Sequence, residues 1–63
     1  MKKLREADIN ELIDIVHYKM KDTMETIAYY NTVAKDELSA KTMVRYLKHL
    51  EELEERLVNE LGE

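Results

Sequence analysis

The sequence predicts an all-α fold, an antiparallel hairpin of two helices, and three observations carry that prediction. First, the 63 residues contain no Pro, and the single Gly62 lies one residue from the end. Leu, Glu, Lys, Met and Ala dominate, and these are strong helix formers. Second, apolar residues recur at heptad spacing in both halves of the chain. Third, the phase of that repeat shifts by two positions near the middle, which a single continuous helix cannot follow.

The first helix is expected over residues 8–35. Ile13, Met20, Ile27 and Ala34 recur every seven residues, and Ile9, Val16, Thr23 and Tyr30 form a second row beside them. Together they make the a/d stripe of a coiled coil. Extending that phase would place Lys41 and Lys48 on the first row, and Glu37 and Glu51 on the second. The rows present are instead Met43, Leu50 and Leu57, with Tyr46 and Leu53 alongside. A turn is therefore expected over residues 36–39, and a second helix over 40–61. Ser39 is the expected N-cap, since its hydroxyl can accept a bond from an orphaned backbone N–H. Leu38 and Met43 then hold the two positions of a hydrophobic staple, and Asp36 is the rival cap. A turn there pairs residues whose numbers add to about 76, as in any tight helical hairpin. That register sets Tyr30 opposite Tyr46, His49 near Ile27 and His17 near Asn59. It also brings Lys2, Lys3 and Arg5 to the acidic run of Glu51, Glu52, Glu54, Glu55 and Glu60. Exposed pairs of that kind contribute about 0–1 kcal/mol each.

The chain forms one domain, residues 1–63, too short to bury a large core: about 60% of the unfolded surface is the expectation at this size. Small domains usually add disulfides, a metal or a partner subunit, and there is no Cys. The apolar arcs are wider than one hairpin can use. Leu12, Met24 and Val33 flank the rows of the first helix, with Ile15, Tyr18 and Tyr29 further round. Leu47 and Leu61 flank the second helix on one side, Val44 and Val58 on the other. Helices with such arcs contact two neighbours, as in a four-helix bundle. The expected assembly is a homodimer, since symmetric dimers are the commonest oligomers; a trimer or a heteromeric bundle fits the same pattern. The residues expected at the core or oligomer interface are Ile13, Val16, Met20, Met24, Ile27 and Tyr30 from the first helix. From the second they are Met43, Tyr46, Leu47, Leu50, Leu53, Leu57 and Leu61.

Chemistry is sparse. No Ser/His/Asp set, Gly-rich phosphate loop or close carboxylate dyad is present, so no catalytic, cofactor-binding or metal-binding residues are assigned. His17 and His49, far apart in the expected register, read as flank residues of a bundle. Glu54 lies among Leu47, Leu50, Leu57 and Leu61 at helical spacing. A carboxylate on an apolar face needs a partner or a metal. A solvated interface edge, or a bridge to Arg or Lys of another subunit, would satisfy it. Tyr29, Tyr30 and Tyr46 read as core or interface aromatics, and Met20, Met24 and Met43 as adaptable filler.

Tyr29-Tyr30-Asn31-Thr32-Val33-Ala34, a short acidic turn and the later Leu-Glu-Glu-Leu-Glu-Glu run resemble one hairpin of a ferritin-like protein. Half-rubrerythrins and the encapsulated ferritins are the most similar members. The resemblance implies a four-helix bundle of two hairpins, with a di-iron centre held by a Glu on one helix and Glu-x-x-His on the next. Carried over, the Glu-x-x-His frame falls on Glu54 and Leu57, and the first-helix Glu on Thr23. Only Glu54 can bind a metal, so the resemblance implies the architecture with apolar packing in place of the metal site.

The reading that follows is a non-enzymatic helical hairpin that self-associates and acts through protein–protein interaction, as a regulator or adaptor. A ferritin-like metal carrier using Glu54 at a dimer interface is the alternative. RNA binding, as in small dimeric hairpins, is disfavoured by a net charge of −4, because nucleic-acid modules present a basic face. The basic start of the chain is broken by Glu6, Asp8 and Glu11, so no signal peptide is expected. Apolar runs of only a few residues exclude a spanning helix, which needs about 20. A soluble, cytoplasmic protein without a nucleic-acid or membrane partner is expected.

Overall fold

A computed structural model describes residues 4–62. It consists of α1, Glu6–Thr32, and α2, Glu37–Gly62, packed against each other as a hairpin. Each helix N-terminus engages an Asp carboxylate, Asp8 in the first turn of α1 and Asp36 just before α2. The Arg5 backbone N–H donates to Asp8 Oδ2 at 3.3 Å, closing the first turn of α1 on a carboxylate that the helix dipole favours there. Glu6 adds a second acidic group to the same turn.

The turn occupies residues 33–36, three residues earlier than the 36–39 expected from sequence. At the end of α1 the N–H groups of Val33 and Ala34 both reach the Tyr29 carbonyl, at 2.9 and 3.1 Å. Lys35 then adopts the left-handed region (φ 50°), and the Asp36 N–H donates back to Tyr30 O at 2.8 Å. Asp36, not Ser39, caps α2. Its Oδ1 accepts the Ser39 N–H at 3.1 Å and its Oδ2 accepts the Ser39 hydroxyl at 2.6 Å. The first helical bond runs from Ala40 N–H to Asp36 O at 3.0 Å. Ser39 is thus the third residue of the helix, where its own N–H is one of the orphan donors that the cap satisfies. The earlier start leaves Leu38 at 76% exposure, so the staple with Met43 does not form. The Ser39 hydroxyl bond, then its backbone bond, holds the Asp36 carboxyl below its ordinary pKa; slight desolvation opposes them and the Leu38 N–H assists.

The seam between the helices follows the heptad rows. Ile9, Val16 and Thr23 of α1 are buried, and Ile13, Met20, Ile27 and Tyr30 are half-buried beside them. In α2 the inward positions are Ala40, Met43, Leu47, Leu50, Glu54, Leu57 and Leu61. They alternate by three and four residues, so Leu47 and Leu61 lie on the seam and not on a flank. Ala40 and Leu50 are its buried members. Thr23 meets the apolar interior by donating its hydroxyl to Lys19 O at 2.7 Å, which satisfies the group within its own helix.

The overall extents are 45 × 18 × 15 Å. A helix with its side chains is about 10–12 Å across, so the molecule is one layer thick. Its radius of gyration is 14.5 Å, against about 10.6 Å for a compact domain of this length.

Candidate functional site: the open face of the hairpin

Two edges border the seam, and they differ in chemistry. Successive helical residues project about 100° apart, so Ile15 and His17 lie on opposite sides of buried Val16. On the Ile15 side, a groove of about 430 Å³ opens between the helices. Leu12, Ile15 and Val16 line it from α1, and Tyr46, Leu53 and Leu57 from α2. Leu50 forms its floor, and the only charged lining residue is Lys19. Ile15 and Tyr18, on its rim, are well exposed.

The opposite edge is closed by a side-chain contact between His17 Nε2 and the Glu54 carboxylate, the one bridge of this kind among the described residues. Glu54 occupies a seam position and remains 31% exposed, while His17 is 56% exposed. This settles the partner of the seam carboxylate within the chain. It also corrects the register: His17 meets Glu54 and not the vicinity of Asn59, because the turn comes earlier. With that shift Tyr30 and Tyr46 are no longer opposite. Tyr30 contacts Tyr29 edge-on, with ring centroids 5.7 Å apart, and Tyr46 stacks on His49 of its own helix at 6.4 Å. The expected bridge from Arg5 to the acidic run is not among the described ion pairs, and Lys2 and Lys3 lie outside the described residues.

Of the residues expected at the core or interface, the structure sets Ile13, Val16, Met20, Ile27 and Tyr30 along the α1 seam. It sets Met43, Leu47, Leu50, Leu57 and Leu61 along the α2 seam, and Tyr46 and Leu53 in the groove. Met24 stands apart, on the His17 side and 51% exposed. Leu12 and Ile15, read from sequence as flanking residues, prove to be the α1 wall of the groove. Their spacing from Val16 was the available signal, but the side of the seam that opens depends on how the helices splay. Ala40, a small apolar residue with little periodic signal of its own, is a buried seam position that only the packing reveals.

The described residues offer no three His, Cys, Asp or Glu side chains grouped to hold a metal. They include no helix long and apolar enough to cross a membrane.

The exposed area gives the scale of what is left open. The chain exposes 5386 Å². A compact folded monomer of 7.5 kDa exposes about 4,200 Å² by the usual mass scaling. The excess, about 1,100 Å², is what an elongated pair of helices exposes beyond a globular chain of the same mass. No protein-family model, curated protein or solved structure matches the chain.

Proposed function

We propose that this chain is a non-enzymatic, self-associating helical hairpin, a homodimer that completes a four-helix bundle and acts through protein–protein interaction as a regulator or adaptor. The apolar groove built by both helices carries this reading. Domains need at least two packed layers around a core, and one hairpin supplies one layer. A second copy supplies the other. It would cover Leu12, Ile15, Tyr46, Leu53 and Leu57, each worth about 1.5–3 kcal/mol when fully buried.

Light scattering tests the reading. The expected mass is twice the 7.5 kDa of the chain, and Ile15→Glu or Leu53→Glu should halve it by setting an unpaired charge in the interface. A folded species of single-chain mass at micromolar concentration, unchanged by either substitution, overturns it. The competing metal-carrier reading makes a different claim: iron, manganese or zinc bound stoichiometrically and lost in Glu54→Ala.

A further inference from the structure

Charge is divided unevenly along the hairpin. The open half comprises residues 4–17 of α1 and 51–62 of α2. Among the described residues it carries nine carboxylates, Glu6 to Asp14 and Glu51 to Glu60, against Arg5 and Arg56; the sequence adds Lys2, Lys3 and Glu63 beyond them, which leaves the balance acidic. The turn half, residues 18–50, reverses the balance with six cations against four carboxylates. Lys19 among them lines the groove, whereas Lys41 and Arg45 border a separate hollow with Ala40 and Val44.

Two symmetric pairings can cover a groove that runs along one face of a hairpin. A two-fold axis along the helices sets both turns at the same end. A two-fold across the helices sets the turns at opposite ends, with each helix running antiparallel to its own copy. The first stacks one acidic half on the other, so that both sets of nine carboxylates share one end. The second lays each acidic half over the turn half of its mate. Interface charges of this sort act chiefly by rejecting wrong arrangements.

We infer that the groove takes a second copy of this chain with the turns at opposite ends. The inference rests on the self-association reading and specifies its geometry. On α2 the groove extends from Tyr46 to Leu57, so its centre lies beside Glu51 and Glu52. A two-fold there brings Thr42 of one copy to within about one residue, roughly 1.5 Å, of the level of Glu60 of the other. Both are exposed and project toward the groove side of α2. The two copies of Thr42 end about 28 Å apart along the axis, at 1.5 Å per residue.

The chain has no native Cys, so single-cysteine variants report without background. Thr42→Cys and Glu60→Cys proteins are first weighed by light scattering, then mixed, exchanged and oxidised. The mixed disulfide should form in several-fold excess over either homotypic one. Spin labels on Thr42→Cys alone should show the long separation. A dimer whose Thr42→Cys labels lie together at one end overturns the orientation while leaving self-association intact. A dimer with the long separation but no mixed disulfide places the second copy off the groove, and overturns the inference equally. A folded monomer removes the reading on which it rests.

Discussion

Glu54 concentrates the chemistry of this molecule at one residue. It holds a heptad position otherwise reserved for apolar side chains, and His17 reaches across the edge of the seam to meet it. With the imidazole more than half exposed, the pair contributes about 0–1 kcal/mol. Its place is better explained by register, because any slip of α2 along α1 separates the two. Replacing the carboxylate by Leu would leave His17 hydrated and extend the apolar seam from Leu50 to Leu57. Glu54→Leu is therefore expected to stabilise the protein by about 1–2 kcal/mol, read from urea unfolding. A loss of stability would show that the pair is a strong contact. Asp36 acts at the same scale. A carboxylate whose folded pKa is depressed stabilises the fold above its unfolded pKa, and that contribution fades as pH falls through the folded value. The cap should thus weaken below about pH 4, the ordinary range for Asp. Asp36→Asn, which keeps a capping oxygen, should remove that part of the acid dependence, whereas Asp36→Ala should lower the melting temperature at neutral pH.

At the scale of the element, the turn decides the register. Lys35 stands in the left-handed region with a side chain that disfavours it. Lys35→Gly is expected to raise stability by about 0.5–1 kcal/mol, the relief of a left-handed Cβ (about 1–2 kcal/mol) less the greater chain entropy that Gly loses, measured by thermal unfolding. Ala40 lies five residues beyond, buried where the helices leave the turn and approach closely. A larger side chain would wedge that approach, so Ala40→Leu should cost about 1–3 kcal/mol. An unchanged stability would mean that the helices part freely near the turn. The two helices were legible in sequence because Leu, Met and Ile rows repeat over several turns. Their boundaries were not: Asp36 and Ser39 are both good caps, and the choice depends on which hydrogen bonds close. Asp36 captures two donors from Ser39 at once, and α2 begins a turn earlier for that reason.

For the whole molecule, one layer of two helices leaves an apolar groove that folding alone does not cover. Self-association of such a hairpin couples its stability to concentration. The melting temperature should rise with protein concentration, and Leu53→Glu should abolish that dependence while the helices persist by circular dichroism. A concentration-independent melting temperature in the native chain would count against assembly.

The sequence by itself determined the helical class, the hairpin, the seam rows and the surplus of apolar surface. Each follows from composition and from a repeat summed over many residues, so no single position decides it. Only the tertiary structure decided the turn at residues 33–36, the meeting of His17 with Glu54 and the side on which the groove opens. Those depend on which of two nearly equivalent caps closes and how two helices rotate about a shared seam. Such differences of a few hydrogen bonds and contacts leave no periodic trace in the chain.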